Sequence, residues 1–535
     1  MNIRIIAIIA AAMLSAIDAH AQAPQAELAI TLDDAVKRAI EHNPDLLIVR
    51  LSTDVEAARV GQANTAYTPV LSTAVGRSTA TTLPTNFLLG TVGVDTRDLF
   101  SSTGVRQRIP WGNGTWSVGW DASRTTSNNP LNSFDPSLQS AVQIAFSQPL
   151  VKDRTIDPAR QQYIVAKRNA ASSDLRFRES VVQTVAAVKE AYWTLKALRA
   201  NVTVQERSLE LAEQLAQENS ARVRLGQSPP IDLVQVQTEV AERRDNLIRA
   251  RAAADDGEDR LRRLIMDPTD GSFWNVRLDV VDEPTGRLPE PDIDAAVARA
   301  VRERYDVAVA HNDVSIAESY ERFYTNQRLP DVRLEASYRG SGLGGAELLR
   351  TGAFPGTVTG IVSSGFPGVL GQAFGTDYPT WSFGLTVSYP LGRSFEELSR
   401  VEAQVQRRQA AARVATLQLD AAAAIRQAGR QVRSTAERED AARAGATLAQ
   451  QRLDSEQRRY QVGLSTSFLV TQAQRDLLQA QVNLLQATLD YQSALVAFEA
   501  LQLAPAATGT IALTGSSVVP LPPASPNGIF RPGAQ

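Results

Sequence analysis

The chain repeats itself. The stretch RVRLGQSPPIDLVQVQ, Arg222 to Gln237, returns as RYQVGLSTSFLVTQAQ, Arg459 to Gln474, 237 positions later. In each copy a polar turn with a glycine, Gly226 or Gly463, separates two long helical patterns. LDDAVKRAIEHNPD (Leu32 to Asp45) returns as IDAAVARAVRERYD (Ile293 to Asp306), 261 positions later. Pro69 maps to Pro330 at the same shift, and Pro149 maps to Pro390. The order of parts therefore recurs: short helix, strands, very long helix, turn, long helix. A duplication on this scale dictates architecture before any single residue does.

Residues 31–66 and 292–326 have the short-helix pattern. Thr31 is a candidate N-cap, with Asp33 and Asp34 in the first turn, where carboxylates suit the helix dipole. Helices are predicted over 158–225 and 227–265, and again over 395–462 and 466–502. The first would be on the order of 100 Å long if continuous. Pro229 and Pro230 are tolerated at the start of the returning helix. Val470, Ala473, Leu477, Ala480, Leu484, Ala487, Tyr491, Ala494, Phe498 and Leu501 keep a strict 3,4 spacing, a heptad seam that calls for a partner helix. Leu233, Val236, Val240, Leu247, Ala250, Ala254, Leu261 and Leu264 keep the same register, interrupted by Arg243 and Gly257. A buried stripe of any helical bundle accounts for one seam. It does not account for two in one register with strands upstream of both. With only 6% aromatic residues in 535, the pattern is an elongated helical protein rather than a string of compact domains.

Between the helices the period changes to two. Strands are expected within 70–147 and over 331–338 and 381–389, with polar loops at 80–98 and 125–138 and a Gly-rich loop between the last two strands. Trp116, Trp120, Phe146, Trp381, Phe383 and Tyr389 mark one face, as lipid-facing aromatics do in membrane barrels. The other face is Ser, Gly, Thr, Gln and Asp, which suits water. GVRQRI and TWSVGW flank the turn Pro110-Trp111-Gly112-Asn113-Gly114 and resemble an extra hairpin. A returning chain crosses an even number of times, so this half supplies two or four strands. The expectation is two, with a long first arm. Four strands per chain cannot close a barrel alone, and three chains giving twelve is the simplest closure.

The N-terminus, with Arg4, the apolar run Ile5 to Leu14 and Ala19-His20-Ala21, is written as a secretory signal peptide cleaved before Gln22. Cysteine is absent, which excludes disulfides, thiol catalysis and a lipidated N-terminal cysteine. A net charge of -3 leaves no nucleic-acid footprint. Gly340-x-Gly342-x-x-Gly345 matches a dinucleotide fingerprint, but no βαβ unit frames it, and a surface loop is the better reading. DDGED at Asp255 to Asp259 lacks calcium-loop spacing and reads as a solvated helix face. His42 and His311 belong to no metal-ligand cluster. The expectation is a non-enzyme without metal or cofactor. The divisions are a signal peptide over 1–21, a first repeat over 22–266, an inter-repeat segment over 267–291 with a strand-like run near Trp274 to Val281, a second repeat over 292–503 and a disordered tail over 504–535. The fold class is mainly α with β: long antiparallel coiled-coil helices plus transmembrane strands, with an internal two-fold repeat.

Together these features resemble the TolC-type outer-membrane efflux and export channels. The most specific pieces are LDDAVKRAIEHNPD, the VRLG…DLVQ turn, QPLVKD, and YPTWSFGLTVSYPLG, and the resemblance covers about 28 to 503. It implies a homotrimer in outer-membrane lipid, with a twelve-stranded β-barrel and a twelve-helix α-barrel reaching across the periplasm of a Gram-negative cell. It implies a passive exit duct for an inner-membrane pump working through a periplasmic adaptor (membrane fusion) protein, in efflux or type I secretion. It also implies a gate at the helix tips, in which Tyr460 bonds Asp232. Ser465 stands where family members carry a reinforcing Arg, and Leu469 and Gln472 stand where they carry carboxylates, so a looser gate is expected. The alternative is a barrel-anchored trimeric coiled-coil adhesive or structural surface protein, whose stalks run parallel.

Overall fold

A computed structural model describes residues 27–506, apart from 84–92, 228, 268, 270, 285, 287–288, 354–355 and 376. The expected signal peptide over 1–21, and the expected tail beyond residue 506, lie outside the described residues. The helices are α1 (Leu32–His42), α2 (Pro44–Asn64), α3 (Pro158–Arg224), α4 (Pro230–Ile265), α5 (Ile293–Glu303), α6 (Tyr305–Gln327), α7 (Phe366–Phe374), α8 (Phe395–Gln461) and α9 (Ser467–Leu501). α3 and α8 have 67 residues each; α4 and α9 have 36 and 35. None is long and apolar enough to cross a membrane among the described residues.

Each predicted short helix is in fact two. The break falls at Asn43, whose side chain accepts from the N–H groups of Asp45 and Leu46 at 2.9 and 3.2 Å and caps α2 behind Pro44. At the second break, Arg304 instead grips the Asp306 carboxylate with two bonds of 2.9 and 2.7 Å.

The chain divides into two units: residues 1–42, 181–300 and 423–535, and residues 43–180 and 301–422. The first unit is helical except for β1 (Glu27–Ile30) and β6 (Arg277–Val280), paired in parallel. β6 lies within the predicted strand-like run; β1 was not anticipated. Tyr192 of α3, fully buried, holds this pair. Its hydroxyl accepts from the Asp282 N–H and lies 3.1 Å from both the Ile30 carbonyl and the Asp282 carboxylate. Burial pushes its pKa up to about 12. The heptad seams are buried or half-buried throughout. Their two interruptions belong to them. Arg243 is only 6% exposed, and Gly257 makes room for Leu198, whose Cδ1 lies 2.6 Å from where a Cβ would sit.

The second unit holds the sheet: β2 (Val70–Thr82), β3 (Val94–Arg108), β4 (Thr115–Ser127), β5 (Phe134–Pro149), β7 (Asp331–Thr351), β8 (Thr357–Ser364) and β9 (Pro379–Ser388). The order is β2-β3-β4-β5-β7, antiparallel, and β8 and β9 both pair with the far edge of β7. The expected two strands in the first half are therefore four. Turn chemistry explains the correction. Gly112 and Asn113 have positive φ (76° and 57°), and the Ile109 N–H bonds the Gly114 carbonyl at 2.7 Å, closing a hairpin of β3 and β4.

The expected Gly-rich loop is also corrected. Gly340, Gly342 and Gly344 lie within β7, and α7 sits on them. A Cβ at Gly342 would lie 2.1 Å from the Val369 carbonyl oxygen, and one at Gly340 2.2 Å from that of Ala373. The glycines therefore permit a helix backbone to touch a strand backbone. Gly345, at φ 116°, ends the run opposite a register shift in β5. Gly342→Val must displace α7, at an expected cost of about 1–3 kcal/mol for overpacking. Limited proteolysis should then cut near α7 in the variant and leave the parent intact there.

Candidate functional site

The two turns have the same backbone device. Gly226 and Gly463 sit in the left-handed region at φ 72° and 78°. After α3, the Gln227 N–H bonds the Arg222 carbonyl at 2.8 Å; after α8, the Leu464 N–H bonds the Arg459 carbonyl at 2.8 Å. This satisfies carbonyls that a helix end leaves unpaired, and it needs a residue without a Cβ penalty. α9 then starts from Thr466, whose side chain accepts from the Leu469 N–H.

Tyr460 is buried beside this turn, in a cluster with Leu215, Val236, Leu453, Val470, Ala473 and Leu477. Its hydroxyl donates to Asn219 Oδ1 of α3 at 3.2 Å. The expected bond to Asp232 is thus replaced. Asn219 is itself fully buried, donates to the Leu215 carbonyl at 2.9 Å, and presents its oxygen to the phenol. Asp232 lies near enough for its charge to act on the phenol, in the first turn of α4. The Arg222 guanidinium lies 4.1 Å from the ring centroid and donates to the Tyr460 carbonyl. Burial raises the pKa of this phenol above its usual range, so it remains a donor at neutral pH. Ser465 bonds Glu456. Leu469 is exposed, and Gln472 donates to Asp476, which also binds Arg452 at 2.7 Å.

Further along the same helices lies a group that sequence reasoning did not assign. Glu239 of α4 is 3% exposed. It binds Arg243 one turn on, and Arg475 of α9 donates to it through Nε at 2.9 Å. Arg475 is also 3.7 Å from Glu242. Burial pushes the Glu239 carboxyl up, but the Arg475 hydrogen bond and the Arg243 charge outweigh it and hold it below the usual carboxylate range. These residues line a polar hollow of about 550 Å³ with Asn201, Gln205 and Gln479. The break that Arg243 makes in the seam was the available signal.

In the second unit the sheet is two-faced. Cross-strand partners share a face, and one face joins Trp116 to Phe146, Trp120 to Val142, and Ala336 to Phe383. Trp381 is opposite Tyr338 on that face. Tyr389 follows the end of β9. The reverse face joins Ser117 to Ala145, Asp121 to Ala141 and Ser337 to Ser382.

Three solved structures share this fold at low identity. CusC is 14% identical, over 89% of this chain and 92% of its own, with a TM-score of 0.65. Campylobacter jejuni CmeC, an outer-membrane channel, is 15% identical over 88% and 85%, with a TM-score of 0.62. The outer-membrane protein VceC of Vibrio cholerae is 16% identical over 88% and 96%, with a TM-score of 0.61. No curated protein matches the chain in sequence. The fold class is thus that of outer-membrane channels built from long helices and a β-sheet. The family model for outer membrane efflux proteins matches residues 108–265 and 296–502, and the chain belongs to that family. It is an outer-membrane efflux channel protein, and the efflux channels it is homologous to are conduits.

Proposed function

We propose that three copies of the chain close into one outer-membrane duct, with the sheet as membrane wall and the helices reaching into the periplasm. An inner-membrane pump, acting through a periplasmic adaptor, feeds it. The observation that carries the closure is the pair of open edges. Among the described residues β2 bonds only β3, and β9 bonds only β7. An unpaired strand edge cannot face hydrocarbon, so the β2 edge of one copy meets the β8–β9 edge of the next. The family supports three as the number.

The tips around Gly226 and Gly463 form the periplasmic gate in this reading. Tyr460, Arg222 and Asn219 hold the second hairpin to the first, while Ser465 adds no bond across to the first hairpin among the described contacts. Native mass measurement in mild detergent is expected to give three times the mature chain mass. A monomer or dimer as the stable species overturns the closure.

A further inference from the structure

We propose that each chain supplies six strands to the membrane wall, so that three chains build an eighteen-strand pore with a water-filled lumen open to bulky hydrophilic cargo. The inference rests on the three-copy duct above and deepens it. Counted across the sheet, the ribbon is six strands wide, because β8 and β9 occupy successive stretches of the same β7 edge with α7 between them.

The extra hairpin β3–β4 is part of the wall and not an appendage. It lies between β2 and β5, and its register is unbroken over thirteen residue pairs with β2 on one side and eleven with β5 on the other. One row crosses all six strands on a single face: Leu71, Val105, Val118, Ile144, Tyr338 and Trp381. A hairpin folded outside the membrane has no need to continue an apolar row begun by its neighbours. The opposite face reads across the strands as Ala74, Ser102, Asp121, Ala141 and Ser341. That row is made of small side chains, and the polar or larger Phe100, Arg106, Gln143 and Arg339 share its face in the neighbouring rows.

Barrel diameter grows with strand number, and barrels of 16–18 strands hold an aqueous channel. α7 does not plug that channel. It lies over Gly340 and Gly342, which share the face of Val142 and Ser140, where it covers a patch without side chains. Size selection then falls to the helix tips rather than to the membrane segment.

The absence of cysteine makes the test clean. Single cysteines would be placed at Ser102 and Ser123 on the polar face and at Thr103 and Val118 on the apolar face. Gln143 and Ile144, with Ser382 and Phe383, serve as references on β5 and β9. The expected result in proteoliposomes is that a membrane-impermeant charged maleimide labels the polar-face positions of all strands, and that labelling is lost at the apolar-face positions. A polymer-linked maleimide added from the outer side should also reach Ser102→Cys. If β5 and β9 alternate while both faces of β3 and β4 react, the hairpin lies outside the wall and the six-strand proposal falls, with the duct intact. If the small reagent reaches Ser102→Cys and the polymer does not, the wide lumen is wrong. If no strand alternates, the duct reading fails as well.

Discussion

Glu239→Gln is expected to destabilise the helix pair by about 3–5 kcal/mol, the cost of leaving a buried charge without its partner. The stranded group is Arg243, 6% exposed. Arg475 is half exposed, so water screens its share. The effect is also pH-dependent. The Glu239 carboxyl is held below its unfolded value of about 4.3, so its stabilisation is present above that value and is lost as pH falls through the depressed folded one. Thermal unfolding of wild type and variant should therefore differ at neutral pH and converge in acid. Arg475 stays charged throughout, because a guanidinium does not lose its proton in this range, and the Glu239 hydrogen bond raises its pKa further. The bond joins α4 of the first hairpin to α9 of the second, so the variant should also open more often in planar bilayers. Equal melting of the two proteins at neutral pH sinks the assignment.

What could be read from the sequence was whatever rests on period and on obligatory backbone chemistry. The seams were legible because a 3,4 spacing has one structural meaning, and Gly226 and Gly463 because a reversing helix end favours a left-handed residue. The even and odd faces of β4, β5 and β9 were legible from Trp116, Phe146 and Trp381. The hairpin at Pro110 to Gly114 was visible too, but strand count was not. Thr103, Ser101 and Ser102 give β3 little contrast between its faces, and only pairing with β4 reveals which is which. The glycines at 340, 342 and 344 looked like a loop because their role is to receive a helix more than twenty residues further along the chain. The same limit applies to side-chain partners. Asp232 and Asn219 both lie within a few residues of the first turn, and no spacing rule distinguishes them as acceptors for Tyr460. Burial decides it: Asn219 faces the interior between the helices, and a neutral amide can be enclosed there at less cost than a carboxylate.

Tyr460→Ala is expected to be the most damaging single change at the turns, at about 3–5 kcal/mol. Three contributions are lost together. The ring is 4% exposed and fills the space between Leu215, Leu453 and Val470, and its removal leaves a cavity. The Arg222 guanidinium loses the face it stacks on. Asn219 Oδ1 loses its donor inside the cluster. Tyr460→Phe separates these terms, since it keeps the ring and the stacking and removes only a neutral hydrogen bond. Because the fully buried Asn219 Oδ1 is then left without that donor, its expected cost is about 1–3 kcal/mol. Asp232→Ala should cost less still, because its carboxylate does not receive the phenol proton. Bilayer recordings should rank the same way: Tyr460→Ala raises open probability most, Tyr460→Phe modestly, and Asp232→Ala least. A channel that opens as readily in Asp232→Ala as in Tyr460→Ala would restore the carboxylate as the phenol's partner. A wild-type open probability in Tyr460→Ala would show that the buried ring packs the tip without holding it shut.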